Sequence, residues 1–326
     1  MQLQPNSKLM LIINPTAGKN KARDEIFTFI NYFFTAGYQV TIFPTQKKGD
    51  GTEYASQFAA EYDRVVCVGG DGTLNEVVAG LMTLPEEQRP MLGYIPAGTT
   101  NDFASTLGIP GDTAEAMRQI VEGDSFPCDI GCFNGQYFTY VAAFGLFTEV
   151  SYATPQPLKN VLGHFAYILE GVISLSSIQS HHMTLEVDGE IIEDDFIYGQ
   201  FSNSTSIGGV MDIAHTGVQL DDGLFEVLLI RMPTNPLELN ETISALLMQK
   251  VEDCPRIYFR RARHIRAVAS EPTSWTLDGE AGGVLTEAVA DILPHAISFA
   301  LQRGQGDEPE QLAPPEDNAA ADHFRV

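Results

Sequence analysis

The sequence lacks the long apolar runs that a membrane span requires. No stretch of roughly eighteen or more apolar residues occurs. The nearest, VLGHFAYILEGVISL (161–175), is broken by His164 and Glu170. The first residues, MQLQPNSKLMLIINP, hold neither a basic cluster nor an adequate apolar segment, so no secretory signal is expected. Cysteine is scarce. Cys67, Cys128, Cys132 and Cys254 form no CxxC pair and no zinc pattern, and they read as the reduced thiols of a cytoplasmic protein. Basic residues are few: 19 Lys and Arg against 43 Asp and Glu give a net charge of -24, which argues against general nucleic-acid binding. The seven histidines show no ligand spacing, and no internal repeat, GxxxxGK[ST] loop or GxGxxG turn is found.

What the chain does have is an alternating first part. Apolar runs at 9–14, 38–43, 64–69 and 91–96 read as strands, and segments 20–36, 52–61, 74–82, 101–107 and 112–122 read as helices. Such alternation predicts a parallel sheet covered on both faces, with ligands beyond the carboxyl ends of its strands. Near Cys128 the pattern changes. Asn134-Gly135, Asp188-Gly189 and Asp222-Gly223 sit between apolar runs as hairpin signals, and GVQLDDGLFEVLLI and RIYFRRARHIRAVAS read as long antiparallel strands. One helix, about 158–175, interrupts them. The predicted organisation is an α/β domain over 1–128 to which the chain returns at about 290–303, a β-rich domain over 129–289, and an acidic disordered tail over 304–326.

Three small-residue loops follow strands on one sheet edge: NPTAGK (14–19), VVCVGGDGTLNEVV (65–78) and IPAGTTNDFA (95–104). Glycines there let backbone N–H groups approach a ligand, and a helix N-terminus behind them suits a phosphate. Asp71 beside a bare phosphate is unfavourable, but it makes sense if Mg²⁺ lies between them. Thr73 and Glu76 have the spacing of a capping box. LDGE (277–280) offers Asp278 and Glu280, which would face one side of an extended stretch. The same letters at Asp188-Gly189-Glu190 read as an ordinary turn, so the tripeptide alone leaves turn and site open.

INPTAGK, VGGDGTLNEVV and IPAGTTNDFA, in this order, resemble the diacylglycerol kinase catalytic domain family, which includes sphingosine and ceramide kinases and bacterial lipid kinases. The likeness to the soluble bacterial members extends through SYATPQPLKNVLGHFAYILEG, QLDDGLFEV and LDGEAGG. It implies a Rossmann-like α/β domain with a parallel sheet, of the type of NAD kinase and diacylglycerol kinase, joined to a mostly antiparallel β-sandwich domain. By resemblance, ATP would contact Asn14, Pro15, Thr16, Ala17, Gly18, Thr45, Gly70, Asp71, Gly72, Thr73, Leu74, Asn75, Glu76 and Thr99. Asp71, Asp102 and Glu280 would hold the catalytic Mg²⁺, partly through water. A structural Mg²⁺ would fall on Gln219, Asp222 and Leu224. Glu280 is preferred as the proton acceptor, with Asp278 the rival.

The implied activity is ATP- and Mg²⁺-dependent transfer of a phosphoryl group to diacylglycerol, giving phosphatidic acid. Another lipid alcohol (sphingosine-like or isoprenoid), NAD, or a non-catalytic nucleotide or lipid sensor are the alternatives. A cytoplasmic kinase of a lipid must visit a bilayer, and Arg256, Arg260, Arg261, Arg263 and Arg266, with Lys47 and Lys48, offer a local basic face. The competing reading is a solvated strand face. Leu162, Phe165, Ala166, Leu169 and Ile173 form an apolar helix face, either core or a lipid wall. Glu170 stands where relatives often carry Lys, and Ser105 and Thr106 where they tend to have Arg. A homodimer is compatible with the likeness.

Overall fold

The computed structural model describes residues 7–99, 101–146, 178–204, 206–207, 211–212, 219–248 and 250–302. The helix expected at 158–175, its apolar face, Glu170 and the 304–326 tail lie outside the described residues.

The first half is built of β1 (Ser7–Ile13), α1 (Lys21–Asp24), α2 (Ile26–Thr35), β2 (Tyr38–Pro44), α3 (Asp50–Phe58), β3 (Arg64–Gly69), α4 (Asp71–Leu81), β4 (Met91–Pro96), α5 (Asp102–Thr106) and α6 (Thr113–Glu122). β3 is buried at every position, which is why RVVCVG is apolar without alternation. The order β2-β1-β3-β4 is parallel throughout, with Ile13 opposite both Pro44 and Val68, and Gly69 opposite Pro96. The loops after β1, β3 and β4 therefore leave from one edge. The helix expected over 20–36 is instead a 3-10 turn, Ala17–Asn20, followed by α1 and α2, with a break at Glu25 (φ -96°, ψ 2°).

The second half holds β5 (Asp124–Phe133), β6 (Gln136–Phe138), β7 (Val141–Gly145), β8 (His181–Val187), β9 (Glu190–Ser202), β10 (Ser206–Ile207), β11 (Met211–Asp212), β12 (Phe225–Arg231), β13 (Ile257–Ala262), β14 (His264–Leu277) and β15 (Glu280–Leu301). Trp275 sits at its centre, with the rings of Phe144, Phe133 and Phe201 at 4.8, 4.9 and 5.5 Å.

The expected fold class needs correction. The architecture is not a free-standing parallel Rossmann-like sheet beside a separate sandwich. One 13-stranded sheet runs β13-β12-β9-β7-β14-β15-β4-β3-β1-β2, and most of its ladders are antiparallel. Within it β7, β9, β8 and β14 pair each to the next and back to β7, so four antiparallel strands close into a small barrel. The parallel strands are an extension of that sheet, joined by Phe299 of β15 opposite Leu92 of β4. The physical reason is β15. Its 22 residues are long enough to serve β14 and β5 along their lengths and still reach β4. Closure removes sheet edges that an open sandwich would leave.

Two further strand expectations differ. RIYFRRARHIRAVAS is not one strand. The Asp188 carboxylate accepts from the backbone N–H groups of Arg263 and His264 (3.0 and 2.9 Å), and the chain passes there from β13 to β14, which have different partners. Asp222-Gly223 is no hairpin either, because it leads into β12, paired with β9 and β13. Asn134-Gly135, Asp188-Gly189 and Asp278-Gly279 do form two-residue turns, with φ positive at both members of each.

Candidate active site

The three glycine-bearing loops meet. Asn14 N donates to Val68 O (2.9 Å), and Ala97 N to Gly69 O (2.7 Å), so the first and third loops are tied to the end of β3. Gly98 lies against Gly70 so closely that a Cβ on Gly98 would stand 2.6 Å from the Gly70 Cα. Only glycine permits that approach. Asn101, at φ 54°, folds its side chain back onto Gly98, donating to its carbonyl and accepting from its N–H (3.1 and 2.8 Å). Asn14 accepts from Thr16 N and Oγ1 and donates to Thr73 Oγ1 (3.1 Å).

The capping box expected at Thr73 and Glu76 is not formed. α4 begins earlier, with Gly70 as N-cap, and no side chain caps it. Glu76 is drawn away to α3: Oε1 accepts from Gly49 N (2.8 Å) and Oε2 from Gly51 N (3.1 Å). The first N–H groups of α4 are thus left without a side-chain cap, next to the cleft.

That cleft, about 770 Å³, is bounded by the three loops, the β2–α3 loop and the start of β15. It brings together Asn14, Thr16, Ala17, Gly18, Thr45, Gly70, Gly72, Thr73, Asn75, Glu76, Thr99 and Glu280 of the expected set. The side chain of Leu74 is fully buried in the core. Pro15 and Asp71 do not line the cleft. Sequence reasoning missed Gln46, Gly98, Gln136, Tyr137 and, as a cleft residue, Lys48. The signal for Gly98 was present in IPAGTTNDFA. Lys48 carried none, because only folding brings it to Glu280 (Nζ–Oε2 2.7 Å).

Asp278 and Glu280 part company. Asp278 is 6% exposed, and its carboxylate accepts from Thr139 N (2.6 Å), Thr139 Oγ1 (2.8 Å), Tyr140 N (3.0 Å), Val141 N (3.0 Å) and Asn75 Nδ2 (2.8 Å). Burial raises its carboxyl above the ordinary range, against the pull of those donors. Glu280 is exposed and faces α4: its Oε1 lies 3.7 Å from where a Cβ on Gly72 would stand. The two acids do not point at one site.

Asp71 accepts from Asp102 N (3.2 Å) and Phe103 N (3.3 Å). Burial raises the Asp71 carboxyl, and burial together with the Asp71 charge raises that of Asp102. Among the described residues no three His, Cys, Asp or Glu side chains converge to hold a metal directly. Asp222 accepts from Leu224 N (3.0 Å) and lies 3.9 Å from Arg261, while Gln219 is exposed. Burial, first, raises its carboxyl. Of the five arginines, Arg256, Arg261 and Arg266 are paired with Glu238, Glu226 and Glu287, and Arg260 lies over the Tyr258 ring at 5.3 Å.

A glycine-walled cleft at a helix N-terminus, with an exposed carboxylate across from it, suits a phosphate-bearing ligand. Comparison with known proteins supplies the family. Residues 8–133 match the model of the diacylglycerol kinase catalytic domain, and 143–301 that of the YegS C-terminal NAD kinase beta sandwich-like domain. The chain is 35% identical over 287 residues to the diacylglycerol kinase of Bacillus subtilis strain 168, covering 87% of this chain and 93% of that one. It is 34% identical over 291 residues to the diacylglycerol kinase of Staphylococcus aureus strain MRSA252, covering 89% and 91%. The crystal structure of a candidate diacylglycerol kinase from Bacillus anthracis strain Sterne superposes with a TM-score of 0.78 at 26% identity, covering 92% and 97%. The chain belongs to the diacylglycerol kinase family and is a lipid kinase; membership implies the use of ATP and Mg²⁺.

Proposed function

We propose that the protein transfers the γ-phosphoryl group of ATP to the hydroxyl of diacylglycerol, giving phosphatidic acid. The observation that carries this reading is Glu280 standing opposite Gly72, across the cleft from the N-terminus of α4.

In this reading the nucleotide phosphates lie against the backbone of Gly70 to Thr73 and of Asn14 to Gly18, with Thr45, Asn75, Glu76 and Thr99 completing the cradle. Asp71 and Asp102 suit a divalent cation: two desolvated carboxyls repel each other, and a positive charge relieves both. They would hold the catalytic Mg²⁺ with Glu280, partly through water. When bound, the ion offsets charge on the transferring phosphoryl group. Glu280 accepts the proton of the lipid hydroxyl, and Asp278 holds the turn that presents it. Asp222, desolvated beside other acids, with the carbonyls of Gln219 and Leu224, suits a structural Mg²⁺.

The nucleotide unit is taken as 1–128 with 290–303, the lipid unit as 129–289, and 304–326 as a separate acidic tail. No helix among the described residues is long and apolar enough to cross a membrane. The protein is taken as a cytoplasmic enzyme that visits the bilayer peripherally, with Arg260 and Arg263 as contacts. The family likeness is compatible with a homodimer.

The test is labelled phosphate transfer from ATP to diacylglycerol in mixed vesicles containing anionic lipid and Mg²⁺. Glu280→Ala is expected to lower kcat by about 100-fold or more with unfolding unchanged. Absence of transfer by folded, ATP-binding wild type would remove diacylglycerol as the acceptor.

A further inference from the structure

Lys48 sits on a loop whose backbone is held from two sides. The Asp50 carboxylate accepts from Gln46 N (2.7 Å) and Lys47 N (3.0 Å). Glu76, reaching over from α4, accepts from Gly49 N and Gly51 N. Thr45, at the loop's start, is buried and bonded to Ile13 O through its N–H (2.9 Å). The backbone is fixed, and the Lys48 side chain, 79% exposed, reaches across the cleft mouth to Glu280, itself 59% exposed.

An ion pair this exposed is weak and screened by salt. In a chain of net charge -24, Lys47 and Lys48 are the basic residues lining the cleft among those described. A triphosphate seated at the N-terminus of α4 brings several negative charges into that cleft. A polyphosphate outcompetes one solvated carboxylate for an ammonium group, because it offers more charge and more acceptor oxygens.

We propose that Lys48 is an exchange cation. It holds Glu280 while the cleft is free of nucleotide, and it passes to the β- and γ-phosphates when ATP enters, releasing Glu280 to face the acceptor hydroxyl. This rests on the kinase reading above. Lys48 is on that account a positioning residue for Glu280 and a phosphate ligand in turn. Its second consequence is order: Glu280 becomes a free proton acceptor only once the phosphoryl donor is in place. Glu76 makes the device part of the phosphate cradle, since the helix that presents Gly70 to Thr73 also holds the Lys48 loop.

The experiment is calorimetric binding of MgATP, of metal-free ATP and of AMP to the full-length protein and to Lys48→Met, Lys48→Arg, Glu280→Gln and the Lys48→Met/Glu280→Gln pair. Exchange predicts that Lys48→Met weakens MgATP about tenfold and leaves AMP within about twofold, with Lys48→Arg restoring most of the loss. It also predicts that Glu280→Gln, titrated with metal-free ATP so that loss of a Mg²⁺ holder does not enter, tightens the nucleotide severalfold, because the Lys48–Glu280 pair need no longer be broken, and that this gain vanishes in the double variant. Unchanged MgATP affinity in Lys48→Met, or an equal effect of Glu280→Gln with and without Lys48, overturns the exchange. A folded wild type that binds no MgATP overturns the kinase reading itself. That result is distinct, because it appears before any substitution is made.

Discussion

Asn75 Nδ2 donates to Asp278 Oδ2 at 2.8 Å, and the same amide group reaches the carbonyl of Tyr137 at 3.2 Å. Asn75 lies on α4, the helix that follows the β3 glycine loop, and Asp278 lies in the turn that carries Glu280. One side chain thus ties the two sides of the cleft. The tie continues through Tyr140, whose N–H is held by Asp278 and whose ring stacks on Phe103 at 6.3 Å, at the start of the helix that carries Asp102.

Asp278→Asn keeps the volume but turns an amide NH₂ toward backbone N–H groups. About 2–4 kcal/mol of stability should be lost. Urea unfolding would show this as a lower midpoint at unchanged slope. A midpoint within error of wild type would deny Asp278 its structural role.

Gly98→Ala drives a methyl group into the Gly70 Cα and the Asn101 carboxamide oxygen, each 2.6 Å from the new Cβ. The third loop must move off the second, at a cost of about 1–3 kcal/mol. Nucleotide affinity should fall with stability, since Gly70 lines the cleft. Calorimetric binding beside thermal unfolding checks both.

Glu226 is 1% exposed and lies 3.6 Å from Arg261 without a hydrogen bond to either carboxylate oxygen, and burial, outweighing the Arg261 charge and helped by that of Asp222, pushes its carboxyl from 4.5 up to about 8. The folded state therefore favours the protonated acid. The stability this group contributes is fully present below 4.5 and is lost as pH rises toward about 8. Glu226→Gln mimics the protonated form. Its stability relative to wild type should thus rise between pH 5 and pH 8, by up to a few kcal/mol. Urea midpoints in chelator-containing buffer at both pH values decide it, and a pH-independent difference would reject the assignment.

Arg260 and Arg263 flank the passage from β13 to β14 and are exposed. Charge reversal at both should weaken binding to anionic vesicles by roughly tenfold, at on the order of 1 kcal/mol per residue, and added salt should shrink the difference. Vesicle sedimentation that is indifferent to the double change would leave the basic face as charge balance alone.

The sequence by itself determined four parallel strands and the glycine-bearing loops that follow three of them, but not the larger sheet that those strands extend. Apolar runs without alternation at β1 and β3, followed by glycines, have few other solutions, because a strand buried on both faces must end in a turn where the backbone is exposed. It also determined the Asn-Gly and Asp-Gly turns, whose positive φ is a local preference. Only the tertiary structure decided which DGE lies at the cleft. Asp188-Gly189 and Asp278-Gly279 adopt nearly the same turn (φ 46° and 89°, against 48° and 78°). Each aspartate accepts from nearby backbone N–H groups. Glu190 meets the Tyr258 hydroxyl on the surface, whereas Glu280 meets Lys48 in the cleft. The same holds for Glu76, whose spacing suggests a cap for its own helix and whose carboxylate serves another, and for the closed ring of β7, β9, β8 and β14. These outcomes depend on contacts between residues far apart in the chain. Local letters fix a turn or a strand, but not what stands across from it.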